Sequence, residues 1–219
     1  MYALNLKDVV SCLAVITTVL QFLSGILVCN QYVKNRTTSE ASALPFISTM
    51  LSCSFWLLYG LVKHDEKIIF VNTIGVFLMS GYTIVFYNYT IKKITVLKQL
   101  FVMTFLLLST IAYVYLETNH ELLIERLGIL CCSLTLITIV SPMSKLFHVL
   151  KVKSTECLPF PMILMSFFVS FLWYCYGVII SDTYLQLPNF LGGVLALLQL
   201  SLFLCYPRKS LSSSKILLP

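Results

Sequence analysis

Tryptophan occurs only at Trp56 and Trp173, and each is followed 16 residues later by an asparagine, Asn72 and Asn189. The two pairs lie 117 residues apart. Indole faces stack on the CH faces of sugar rings, and a carboxamide both donates to and accepts from hydroxyls. Aromatic walls with a few aimed polar groups are what a small-ligand site requires. Each residue has a plainer use. An amide in hydrocarbon is costly without a partner, and a helix–helix hydrogen bond worth ~0.6 kcal/mol would supply one. A tryptophan serves as an interfacial anchor. Matched positions favour a shared site, and both tryptophans lie several residues inside their apolar stretches, which argues against anchoring.

Other chemistry is missing from the sequence. No Asp or Glu stands at the centre of an apolar stretch, where ion-coupled carriers commonly place ionisable groups. Passive, uncoupled movement of a neutral solute is favoured over pumping. There is no phosphate-binding loop, so nothing implies ATP or another cofactor. His64, His120 and His148 have no metal-ligand spacing, and serines and cysteines lack a His–Asp set, so no catalytic constellation is present. The eight cysteines contain no C-x-x-C pair and read as small packing residues. Proline removes a backbone hydrogen bond and kinks a membrane helix. Pro45, Pro142 and Pro161 fall at one depth, near the expected cytosolic halves of their helices, and Gly25 stands at the position of Pro142. These four are the candidate hinges.

The elements that carry these residues must sit in lipid. Of 219 residues 58% are hydrophobic and 11% charged, with a mean hydropathy of +0.91. Soluble domains have about a quarter of their residues charged. A helix spans hydrocarbon with about 20 apolar residues. Seven stretches qualify: Val9–Cys29, Ala43–Leu61, Ile68–Tyr89, Gln99–Leu116, Leu127–Leu150, Pro159–Ile180 and Tyr184–Tyr206. The first is read as a span, because it has full length and no cleavage-like site ends it. The short connections exclude a cytosolic catalytic or nucleic-acid-binding domain. With the N-terminus outside, the cytosolic segments carry Lys34, Arg36, Lys92, Lys93, Lys98, Lys145, Lys151, Lys153, Arg208, Lys209 and Lys215, and the other face only Lys7, Lys63, Lys67 and Arg126. The positive-inside rule therefore predicts N-terminus out and C-terminus in, and the net charge of +6 is a topology signal with weak attraction to anionic lipid heads. The sequons at Asn35 and Asn88 fall on the cytosolic side and are expected to be unglycosylated.

An internal repeat organises the spans. At the offset of 117, Trp56 meets Trp173, Tyr59-Gly60 meets Tyr176-Gly177, Asp65 meets Asp182, Asn72 meets Asn189, Gly75 meets Gly192 and Ser24-Gly25 meets Ser141-Pro142. Pro45 and Pro161 match with one residue gapped. The expected organisation is a three-helix repeat over 1–91, a linker helix over 92–122, a second three-helix repeat over 123–207 and a cytosolic tail over 208–219. Three spans plus one linker return the second copy to the membrane in the first copy's orientation, so the repeats are parallel and a site is expected at their interface.

Taken together, Leu44-Pro45-Phe46, Phe55-Trp56-Leu57-Leu58-Tyr59-Gly60, Val71-Asn72-Thr73-Ile74-Gly75, Ser141-Pro142, Lys153-Ser154-Thr155-Glu156, Leu158-Pro159-Phe160-Pro161, Trp173-Tyr174-Cys175-Tyr176-Gly177, Asp182 and Pro188-Asn189-Phe190 resemble the SWEET sugar transporters. The resemblance covers about residues 9–207 and is to animal, and specifically insect-like, members. It implies a facilitative uniporter for a monosaccharide or small disaccharide, working by alternating access between two three-helix bundles. It implies that Asn72 and Asn189 bind hydroxyls, that Trp56 and Trp173 pack on the ring, and that Tyr59 and Asp182 close an extracellular gate. A tryptophan at position 56, where many plant members are smaller, narrows the pocket towards a glucose-like monosaccharide. Pro45, Pro142 and Pro161 match three of four cytosolic-gate prolines. Gly25 departs from the fourth, so the first helix either lacks this hinge or bends there through glycine flexibility.

Two rivals stand beside this reading. A seven-span receptor fits the span count, but not the repeat or the short loops. A non-transporting trafficking or interaction protein of related fold would not need paired Asn and Trp at one depth. The expected partners are sugar and membrane lipid, with no nucleic acid. Homo-oligomers are an expectation from the resemblance, although each chain carries both halves of a site. The expected location is the plasma membrane, with the Golgi or another endomembrane as the alternative.

Overall fold

The computed structural model describes residues 5–207, apart from the side chains of Val140 and Ser141. The basic, serine-bearing tail, 208–219, lies outside the described residues. Eight helical segments follow in chain order: α1 Leu6–Leu23, α2 Gly25–Asn35, α3 Leu44–Lys63, α4 Glu66–Tyr89, α5 Lys93–Leu116, α6 His120–Val152, α7 Phe160–Ile179 and α8 Thr183–Cys205. No strand occurs among the described residues. α1 and α2 form one broken span, so seven helices are long and apolar enough to cross a membrane, as the hydropathy predicts. The first, fourth and fifth run several residues past their apolar stretches, while the others end within about two residues of theirs. The fifth reaches from His120 to Val152, and its 33 residues make about 50 Å of helix, more than the ~30 Å hydrocarbon core. Helical hydrogen bonds continue where side chains turn polar, so hydropathy marks the core of a span and not its tips.

Lipid is the solvent that these faces fit. On α5 only Val96 and Met103 are buried, while Phe101, Phe105, Leu108 and Leu116 are exposed. A continuous apolar surface of this kind in water would drive aggregation.

The chain divides into two compact units within α6, after Leu134. In the first unit α4 packs against both α1–α2 and α3, so the third span lies between the first and the second, and α5 packs on α3. In the second unit α7 packs along α8, and Val149 of α6 joins Leu158, Ile163, Ala196 and Leu202 in one buried cluster.

Matching loops shape the two copies alike. Arg36 and Lys153, 117 apart, end the first helix of each copy with positive φ of 56° and 55°. His64 and Ser181, also 117 apart, end the second helices at 54° and 55°. At His64 and Ser181 the left-handed residue turns the chain back at once, so the second and third spans of each copy pack as an antiparallel pair. Glu40 in the loop before α3 forms an exposed 2.8 Å ion pair with Lys92, and the hydrogen bond from that ammonium, with its charge, holds the carboxyl below its ordinary range.

The prolines require a correction. An interior kink was expected at Pro45, Pro142 and Pro161. Pro142 does lie inside α6, but Pro45 and Pro161 occupy the first turns of α3 and α7. There a helix has no acceptor for an N–H, so proline starts the helix without bending it. The cysteines fit the packing reading in part: Cys29, Cys53, Cys131 and Cys132 are buried, whereas Cys12, Cys157 and Cys205 are exposed.

Candidate functional site

Asn72 and Asn189 sit in corresponding places on α4 and α8, both half-buried. Asn72 Nδ2 donates to Ile68 O at 2.9 Å, and Asn189 Nδ2 donates to Leu185 O at 2.8 Å. These are back-bonds to the carbonyl four residues earlier on the same helix, not the cross-helix bonds considered from the sequence. One amide hydrogen is thereby engaged and the side-chain torsions are fixed. The remaining N–H and the Oδ1 acceptor are left to address a hydroxyl, with the same polarity in both copies.

The tryptophans repeat a second geometry. Trp56 meets Tyr59 edge-on, with ring centroids 5.5 Å apart and an 85° interplanar angle, and Trp173 meets Tyr176 at 5.7 Å and 78°. The tyrosines are 0% and 1% exposed, so each indole rests on a fixed support. The T-shaped contacts fix the orientation of both indoles, which are themselves buried at 9% and 7% exposure. The Lys63 ammonium stands 5.5 Å from the centroid of the Tyr59 ring.

The turns between the second and third helices set the height of both groups. Asp65 caps α4, its Oδ1 accepting from the backbone N–H of Lys67 at 3.0 Å and of Ile68 at 3.1 Å. Asp182 caps α8, accepting from Leu185 N–H at 3.2 Å. Asp65 N donates to Gly60 O at 3.0 Å and Asp182 N to Gly177 O at 2.8 Å, closing the preceding helices. Both glycines are required by close approach: a Cβ on Gly60 would lie 3.1 Å from Ile69 N, and one on Gly177 would lie 3.1 Å from Gln186 N. Asp182, expected at an extracellular gate, is thus also the cap that fixes α8, and it is 2% exposed. Its side chain satisfies one of the orphan N–H groups at the start of that helix, that of Leu185.

The candidate hinges divide by position. In the first copy the span breaks at Ser24-Gly25, although no proline is present. Around the break the hydrogen bonds close over three residues: Ser24 N donates to Gln21 O and Leu27 N to Ser24 O, both at 3.2 Å. The ring of Tyr82 from α4 lies against Gly25, where a Cβ would stand 2.8 Å from Cδ2, and its hydroxyl donates to Phe22 O at 3.1 Å. In the second copy Gln199 Nε2 of α8 donates to Pro142 O at 2.8 Å. Sequence reasoning passed over Tyr82 and Gln199. They are 117 residues apart, but a phenol and an amide do not read as a match.

A cavity of about 310 Å³ opens between α3 and α5, lined by Leu44, Leu51, Gln99, Met103 and other residues, almost all apolar. It includes neither Trp56 nor Asn72 and is separate from the candidate site. Among the described residues no group of His, Cys, Asp or Glu is placed to hold a metal ion.

The chain matches the family model described as "Sugar efflux transporter for intercellular exchange" twice, over residues 8–94 and 125–211. It is 42% identical to the sugar transporter SWEET1 of Drosophila pseudoobscura pseudoobscura, covering 94% of this chain and 92% of that one. It is 31% identical to human sugar transporter SWEET1, with 89% of each chain covered. A 3.7 Å structure of a eukaryotic SWEET transporter shares the fold, with a TM-score of 0.80 at 24% identity over 91% of this chain and 98% of that one. The three-one-three arrangement is consistent with that fold. The chain therefore belongs to the SWEET family, and it is an integral membrane sugar transporter, not an enzyme.

Proposed function

We propose that this protein is a facilitative uniporter that moves a glucose-like monosaccharide across the plasma membrane by alternating access, with the N-terminus outside. One observation carries the reading. Asn72 and Asn189 stand in matched positions with matched back-bonds, each accompanied by a tryptophan propped edge-on by a buried tyrosine. Two such half-sites offer amides to hydroxyls and indoles to a ring face. In this reading Tyr59 and Asp182 close the extracellular side, and Gly25, Pro45, Pro142 and Pro161 belong to the cytosolic gate.

The chemistry suits passive transport. A uniporter binds its cargo about equally in both end states, because tight binding in one would trap it there. Uncharged hydrogen bonds of roughly 0.5–1.5 kcal/mol each, with ring stacking, give moderate affinity. Apolar span centres offer no ionisable group to carry a coupled proton.

Tracer uptake in transport-deficient cells tests the proposal. Asn189→Ala is expected to abolish glucose uptake while surface abundance holds. Full uptake by a properly expressed variant would remove Asn189 from the site. Counterflow without an imposed ion gradient tests uncoupled transport, and dependence on such a gradient would overturn it.

A further inference from the structure

The bonds at the two hinges share a logic that the repeat exposes. Tyr82 and Gln199 occupy the same repeat position, on the third helix of each copy. Both are buried, at 6% and 5% exposure. Each donates a hydrogen bond to a main-chain carbonyl of its copy's first helix, Phe22 O at 3.1 Å and Pro142 O at 2.8 Å. The receiving carbonyls lie about one turn apart on the repeat scale, since Phe22 corresponds to Ile139 and Gly25 to Pro142. Two unlike side chains thus tie the third helix of each copy to the same stretch of its first helix. We propose that Tyr82 and Gln199 are positioning residues that latch the first helix of each copy at its weak point, the Ser24-Gly25 break and Pro142, and so set the balance between the carrier's end states. The proposal rests on the alternating-access reading above.

The physical reason lies in what a bend does to carbonyls. In a regular helix Phe22 O would accept from Ile26 N–H, four residues on. At the break the ladder closes over three residues instead: Phe22 O accepts a backbone N–H at the cap of α1 and also accepts from the Tyr82 hydroxyl. Straightening α1 into α2 would restore the four-residue bond from Ile26 and turn that carbonyl away from the phenol. Gly25 is part of the device, because any Cβ there would push the ring away. In the second copy α6 runs unbroken through Pro142, whose ring lacks an N–H and crowds the preceding turn and so weakens the helix there. Gln199 holds the carbonyl of that proline. A bond present in one bend and lost in another contributes only to the state that has it. Such a difference is the only kind of interaction that moves a conformational equilibrium. Bonds kept in both states would be static glue.

Zero-trans influx and efflux of labelled glucose in cells expressing the full chain separate these cases. Any passive uniporter must have equal Vmax/KM in the two directions, so failure of that equality in the parent protein would sink the uniport reading by itself. The ratio of influx KM to efflux KM reports the balance of end states. Tyr82→Phe keeps the ring and deletes the donor, and Gln199→Leu keeps the bulk and deletes the amide. Each is expected to shift the KM ratio roughly two- to tenfold, the range of one net hydrogen bond. Hydrogen–deuterium exchange on the purified full chain supplies a readout independent of transport. Amides around Ser24 should exchange faster in Tyr82→Phe, and those around Pro142 faster in Gln199→Leu. An unchanged KM ratio overturns the latch, even where exchange quickens. A shifted ratio with unchanged exchange at the bends also overturns it, because the effect would then arise elsewhere. Tyr82→Leu serves as a second deletion in the first copy, and it should reproduce the Tyr82→Phe shift.

Discussion

Gly75→Ala in α4 is expected to destabilise the protein, while Gly192→Ala, the same change at the same repeat position in α8, is not. A Cβ at Gly75 would lie 2.6 Å from Cys53 Sγ and 2.8 Å from Phe22 Cε2. Neither distance is found for a real Cβ, and both neighbours belong to packed helices, so α4 must move away from α1 and α3. Overpacking of this kind costs about 1–3 kcal/mol. Alanine gains about 0.5–1 kcal/mol over glycine in a helix. The net for Gly75→Ala is then a loss of up to about 2 kcal/mol. At Gly192 the nearest atom is Ser170 Oγ at 3.0 Å, with Ser170 Cβ at 3.8 Å. A hydroxyl can rotate aside, so the helix gain survives and Gly192→Ala is neutral or slightly stabilising. Thermal unfolding of purified protein in one detergent, followed by loss of monodisperse protein, ranks the variants. Gly75→Ala should melt several degrees below the parent and Gly192→Ala at or above it, since 1 kcal/mol moves a chain of this size by roughly 2–4 °C. Asn72 lies one turn from Gly75, so Gly75→Ala should also raise the KM for sugar. Equal melting of the two variants, or a lower melting point for Gly192→Ala, would refute the close-approach argument.

Two further outcomes follow from the same geometry. Asp65→Ala removes the acceptor for two N–H groups of α4 and should cost about 0.5–2 kcal/mol, whereas Asp65→Asn keeps an acceptor and should recover most of it, as the same melting assay reads. Cys157 is exposed in the connection between α6 and α7, so with the other exposed thiols replaced, a membrane-impermeant maleimide should label it only in permeabilised cells; labelling of intact cells would reverse the topology.

The spans could be read from sequence because lipid imposes a simple rule: about 20 consecutive apolar residues per crossing, with nothing polar left unpaired. The repeat was equally legible, because two tryptophans, two asparagines and several glycines recur at one spacing. Reading became unreliable where one residue type serves two ends. Proline bends a helix from inside and begins one from its first turn, and the choice for Pro45 and Pro161 depends on where α3 and α7 start. The family resemblance implies a gate role for Asp182, whereas the structure makes it a cap, because it precedes a helix by one residue.

The departure at Gly25 marks the same boundary. By itself the sequence determined the solvent, the number of crossings, the doubled Trp and Asn positions and the missing fourth proline. Each of these is a property of residue type and spacing along the chain. Only the tertiary structure decided that the first span breaks without proline. The bend there depends on a phenol from a helix some sixty residues away, whose ring fills the space a Cβ would take and whose hydroxyl takes Phe22 O. Side chains that meet only after packing leave no periodicity in the chain, and a tyrosine paired with a glutamine at the repeat offset leaves no identity either.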